Sequence, residues 1–151
     1  MNKFLLIVDF VNKIDEFIDV EEDDRFCVDI EREVIYITDS FSEKEDKIWS
    51  AFLKKEFNIN YDPYVMSILH EIGHIKTYTE DLNAERNLIY FLLQIKYEED
   101  NFEEFNNEYF KIPMEYNATK WAVDFYKNNY ELCTELSTKL GLTDWLLYSI
   151  I

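Results

Sequence analysis

Asp62-Pro63-Tyr64-Val65-Met66-Ser67-Ile68-Leu69-His70-Glu71-Ile72-Gly73-His74-Ile75-Lys76-Thr77 is the stretch on which the reading of this chain turns. An Asp followed by a Pro is a strong helix start: the carboxylate can accept a free N–H of the first turn, and the first helical position is the one where a missing N–H costs nothing. The spacing predicts a helix over 63–77. Val65, Ile68, Ile72 and Ile75 fall on one side of it and would face a core, while His70 and His74, four apart, share the other side. Gly73 costs such a helix about 1 kcal/mol relative to Ala, so its presence implies that something approaches the backbone closely there.

Working outward, Phe4, Leu5, Val8, Val11, Ile14 and Phe17 recur at helical spacing and predict an amphipathic helix over residues 3–19, followed by an acidic loop. Residues 26–38 are rich in Val, Ile, Tyr and Phe around Glu31 and Arg32, which predicts a hairpin; the Val34 to Thr38 strand would offer an edge to an extended peptide, or serve as plain core sheet. Further helices are expected over 42–57, over 82–97 with Leu88, Phe91, Leu92 and Ile95 on its buried side, over 113–127 after Pro113, and over 130–140 before Gly141. In the helix after Pro113, Met114, Ala118, Trp121 and Phe125 would form the core stripe, with Glu115, Thr119 and Ala122 along its border. The apolar tail from Leu142 to Ile151 would pack onto the same core or make a dimer contact.

Composition sets the class. The chain has 151 residues, room for one domain over residues 1–151, and 48% hydrophobic with 17% aromatic content is enough to build a core. Only two glycines and two prolines interrupt it, which favours helix over a turn-rich β architecture. The expected fold class is therefore α+β, helix-rich, with one small β-sheet. A net charge of −17 removes nucleic acid and anionic membranes from the list of partners, and no run approaches the length of a membrane span. Met1 to Val8 lacks the cleavage site of a signal peptide, and Cys27 and Cys133 have no paired spacing and read as buried free thiols, so a reducing, cytoplasmic setting is expected.

Residues 70–74 match H-E-x-x-H, and the chain's two histidines both lie in it. Two imidazoles at i and i+4 can converge on one zinc ion, while Glu71 beside them is placed to act as general base toward an attacking water. A catalytic zinc site needs a third protein ligand, and with no further histidine it must be a carboxylate or a cysteine. Two carboxylates compete. Glu80 stands where metzincins carry their third ligand, but that class turns on a glycine where this chain has Thr77, a β-branched residue ill suited to positive φ. Glu115, in the first turn of the helix after Pro113, would border the cleft; a first-turn Glu is also what the helix dipole alone favours.

The whole arrangement resembles the gluzincin metallopeptidases, in which H-E-x-x-H on one helix is completed by a Glu within E-x-x-A-[DN]-x-x-A on a later one. Glu115, Ala118 and Ala122 are in register with that pattern, and Thr119 stands where it carries Asp or Asn. The size of the chain and the wording His-Glu-Ile-Gly-His look most like the ImmA/IrrE family of small bacterial and phage regulatory peptidases. The resemblance spans residues 62–127. It implies a minimal zincin-like fold, a Zn²⁺ cofactor on His70, His74 and Glu115, catalysis through Glu71, and an intracellular protein substrate, such as a transcriptional repressor in that family's manner. Tyr78, Tyr116 and Tyr126 are candidates for a hydrogen-bond donor to the developing oxyanion. From a different class, the same features suit a catalytically silent zinc-site scaffold that binds a protein partner through its acidic surface or apolar tail.

Overall fold

The computed structural model describes residues 2–39, 43–98 and 101–141. Among them the chain runs α1 (Lys3–Ile14), β1 (Asp19–Glu22), β2 (Cys27–Asp29), β3 (Val34–Ile37), α2 (Glu43–Phe57), α3 (Pro63–Thr77), α4 (Glu80–Lys96), α5 (Phe102–Tyr109), α6 (Pro113–Asn128) and α7 (Tyr130–Lys139). This is a helix-rich α+β arrangement with one three-stranded sheet in the order β1-β3-β2.

Helix α3 is the interior element. Its start is built as the sequence implies: the Asp62 carboxylate accepts the Tyr64 N–H at 2.9 Å and Pro63 occupies the first turn. Val65, Met66, Ile68, Leu69 and Ile72 are all fully buried and join Ile7, Val11, Ile35, Phe52, Leu53 and Tyr126 in one hydrophobic cluster. Burying each such side chain is worth about 1.5–3 kcal/mol, so this helix anchors the elements packed around it.

Helix α6 lies against α3 through a contact that only glycine permits. A Cβ built on Gly73 would sit 2.5 Å from the carbonyl oxygen of Ala118, a backbone atom that no side-chain rearrangement can move aside. The close approach expected from Gly73 is thus an approach of one helix backbone to another. The face of α6 that it presses inward carries Glu115, Ala118, Thr119 and Ala122, all buried. Trp121 and Phe125, expected in the core stripe, are only half-buried, and the supposed border is the interior.

Several other expectations change. The predicted 3–19 helix stops at Ile14: the Asp15 carboxylate captures the Phe17 N–H at 2.9 Å and Lys76 at 2.6 Å, and the chain extends into β1. Phe17 is left exposed while Ile18 is buried. The acidic segment expected as loop contributes Asp19–Glu22, paired in parallel with Val34–Ile37. The hairpin forms, with Val28 opposite Ile35 in the antiparallel pair β2-β3, and its glycine-free turn places Glu33 at a φ of 52°. Strand β3 is central, hydrogen-bonded on both sides, so Val34 to Thr38 offers no edge to a peptide. Helix α5 was not foreseen.

The largest reversal is α4. Leu88, Phe91, Leu92 and Ile95, expected inside, are between 53% and 68% exposed. The helix instead turns Asn83, Arg86 and Tyr90 toward a cleft, with Leu93 buried on the same side. Both sides of this helix carry apolar residues, so periodicity could not decide which one is inside. Of the two cysteines, both free, Cys133 is buried but Cys27 only half-buried. The tail from Leu142 lies outside the described residues.

The Gly73 contact makes a direct prediction. Gly73→Ala gains helix propensity but drives a methyl into the Ala118 backbone, and the strain of such overpacking, about 1–3 kcal/mol, wins. Chemical denaturation should show a lower midpoint, where an ordinary exposed helical Gly→Ala change would raise it.

Candidate metal centre

Two helices supply the centre. On α3, His70 and His74 lie one turn apart with ring centroids at 4.6 Å; from α6, Glu115 reaches between them. Glu115 Oε2 is 2.7 Å from His74 Nε2 and 3.3 Å from His70 Nε2. One donor atom from each of the three residues lies within 4.8 Å of the others, and among the described residues no second group of this kind occurs. Glu80 is exposed in the first turn of α4 and takes no part.

The His70 imidazole is oriented from behind, whereas His74 Nδ1 is buried with no hydrogen-bond partner among the described residues. His70 Nδ1 is 2.9 Å from Thr119 Oγ1, whose own hydroxyl donates to the Glu115 carbonyl at 3.1 Å. A hydroxyl has one hydrogen, so with it committed to Glu115 the oxygen accepts from His70 Nδ1–H. With Nδ1–H so engaged, a neutral His70 ring would direct its Nε2 lone pair at a metal, whereas without one Nε2 shares its hydrogen with Glu115 Oε2 at 3.3 Å. Trp49 packs edge-on against the same ring at 5.8 Å. Thr119, where the resembling pattern has an acid or amide, therefore still makes the supporting hydrogen bond.

Electrostatics describe a tightly coupled trio. Burial alone would raise the Glu115 pKa, but hydrogen bonds from His70 and His74 outweigh it and hold the carboxyl well below its usual range. Burial acts on His70 in the opposite sense, and the hydrogen bond and charge of Glu115 override it, leaving the imidazole's pKa raised. The carboxylate is thus kept ionised against its burial chiefly by the hydrogen bonds that Oε2 takes from the two rings. Glu71, buried beside them, has no such close partner: burial raises its pKa, and the charges of His70 and His74 offset this only in part.

Two side chains not singled out from the sequence complete the site. Tyr109 donates its hydroxyl to Glu115 Oε1 at 2.5 Å, and Arg86 Nη2 donates to the Tyr109 oxygen at 2.9 Å. No motif marks either; Arg86 is one of three arginines in an acidic chain and Tyr109 one of eleven tyrosines. The tyrosines considered as donors lie elsewhere: Tyr78 caps the far end of α3, Tyr116 stacks on Phe57, and Tyr126 is fully buried against Tyr61. Tyr109 lines the cleft and none of those three does.

The donor set fits a metal. Two imidazole nitrogens and one carboxylate oxygen within 4.8 Å of one another, His74 and Glu115 buried and His70 half-buried, are ligand types found together in catalytic zinc sites. His70, His74, Glu115 and Glu71 all line a cleft of about 600 Å³, together with the aromatic residues Trp49, Phe105 and Phe110. Strand β2, at the edge of the sheet, contributes Cys27 and Val28 to the rim. Comparison with protein-family models, with curated proteins and with solved structures gave no match to this chain. No helix among the described residues is long and apolar enough to cross a membrane.

If zinc is the occupant, alanine at His70, His74 or Glu115 should each weaken its binding by at least about 10–100-fold, the scale seen when even a group that only supports a ligand is removed. Glu80→Ala should leave it unchanged. Competition against a chromogenic chelator measures all four, and a larger loss at Glu80 than at Glu115 would reverse the ligand assignment.

Proposed function

We propose that this chain is a zinc-dependent endopeptidase of minimal zincin-like architecture, hydrolysing peptide bonds of a protein substrate. The observation that carries this reading is the buried Glu71 carboxylate, placed beside a His-His-Glu donor set and open to the same cleft. A purely structural zinc site needs four closed ligands and no neighbouring base. A zinc ion held by His70, His74 and Glu115 would supply Lewis acidity toward a substrate carbonyl and acidify a water.

The chain's own residues then divide the remaining work. Glu71 would accept the proton of the attacking water and return it to the leaving nitrogen, and its burial, which raises its proton affinity, suits a group that must hold that proton between the two steps. Thr119 keeps His70 Nε2 directed at the centre. Strand β2, paired on one side only among the described residues, lines the cleft with Cys27 and Val28 and would offer backbone N–H and C=O groups to an extended peptide. The aromatic wall would exclude water from the scissile bond.

Glu71→Gln tests the reading against the alternative of a silent binding scaffold. The change is nearly isosteric and spares the ligands, so zinc content and fold should persist while turnover falls about 10²–10⁴-fold. A Glu71→Gln pull-down from the source cell supplies trapped partners, which are then incubated with zinc-loaded unmodified chain. Captured proteins that stay intact and bind both forms equally would mark a scaffold; cleavage that survives Glu71→Gln would remove Glu71 from the base role.

A further inference from the structure

We propose that Arg86 and Tyr109 are positioning residues that clamp one oxygen of Glu115 so that the other alone faces the metal. The inference rests on the metal reading of the His70, His74 and Glu115 cluster and goes beyond it, because neither residue belongs to the H-E-x-x-H helix or to the Glu115 pattern. Glu115 has two oxygens with separate employment. Oε2 faces both histidine Nε2 atoms, at 2.7 and 3.3 Å. Oε1 takes the Tyr109 hydroxyl at 2.5 Å and lies 3.6 Å from Arg86 Nε.

The clamp is itself held from three sides. The Tyr109 hydroxyl spends its hydrogen on Glu115, so its oxygen is free to accept Arg86 Nη2 at 2.9 Å, giving a chain of donors that runs one way into the carboxylate. The guanidinium lies over the rings of Tyr90 at 4.7 Å and Tyr109 at 5.5 Å, which fixes its plane. The Tyr109 ring stacks on Phe105 and meets Phe110 edge-on. Elements α4 and α5, which carry no ligand, thus determine how the ligand on α6 is presented.

Two consequences follow for a carboxylate so held. Its rotation about the last side-chain bond is restricted, so less ordering remains to be done when the metal arrives. With Oε1 engaged, ligation through both oxygens is disfavoured, and a coordination position is kept for a water or substrate. Partners of ligating groups typically change metal affinity by about 10–100-fold when removed, the scale expected here.

The test uses the full chain loaded with cobalt(II) in place of zinc, whose visible absorption reports ligand number and geometry independently of turnover. Tyr109→Phe keeps the ring contacts and removes only the hydroxyl. It should lower affinity about 10–100-fold and change the position and intensity of the cobalt bands, whereas the lost buried hydrogen bond by itself would lower only the melting temperature of the metal-free chain. Arg86→Met should act in the same direction, with Arg86→Lys intermediate because it restores charge without the fork. Unchanged cobalt bands and affinity in both Tyr109→Phe and Arg86→Met overturn the proposal, as does a loss of metal-free stability with the bands unaltered. Failure of the unmodified chain to bind metal overturns it together with the metal reading. Normal band shifts in a chain that cleaves nothing leave the positioning role standing and remove only the peptidase.

Discussion

The contact between the α3 backbone at Gly73 and the α6 backbone at Ala118 is the constraint on which the rest depends. Glu115 sits one turn before Ala118, so the depth to which α6 settles against α3 fixes how far the carboxylate reaches between His70 and His74. With a side chain at position 73 the two helices would stand further apart, and a carboxylate that reaches Nε2 at 2.7 Å would no longer do so. A local propensity cost of about 1 kcal/mol in α3 is thereby exchanged for the close spacing of the helices that carry His70, His74 and Glu115.

Electrostatics set the second constraint. This chain carries a charge of −17, and its surface repels further negative charge, yet it buries two carboxylates, Glu71 and Glu115, within one cleft. Burying charge is costly unless it is paired and hydrogen-bonded. Glu115 is paired on every side, with His70 and His74 at one oxygen, Tyr109 and Arg86 at the other. Glu71 is left with burial as its dominant influence, and the two carboxylates are driven in opposite directions by their surroundings. Divergent environments for two nearby acids are a recurrent way of giving them different roles.

Helix α4 links these two themes. Its polar-aromatic side, through Arg86 and Tyr90, is committed to the centre, and its aliphatic side is turned outward. The arrangement inverts the usual rule that the greasier side of a helix faces in, and it does so because the guanidinium finds there a carboxylate partner and two aromatic rings. A buried polar network that satisfies its members can set the orientation of a helix against its hydrophobic periodicity.

By itself the sequence determined the helix from Pro63 to Thr77, the pair of histidines with Glu71 on one turn, the need for close approach at Gly73, and Glu115 as one of two carboxylates able to complete the set. These are local: they follow from a cap, an i and i+4 spacing, and the conformational cost of one residue type. Tertiary structure decided what depends on distant partners. Strand β1 exists because Val34–Ile37 lies beside it, and no property of Asp19–Glu22 taken alone favours a strand. The choice of Glu115 over Glu80, the inward turn of Arg86, and the arrival of Tyr109 from an unforeseen helix all join residues more than twenty positions from their partners or from the histidines. Side chains of that kind carry no periodic signal, because what places them is the packing of one helix on another and not the sequence that surrounds them.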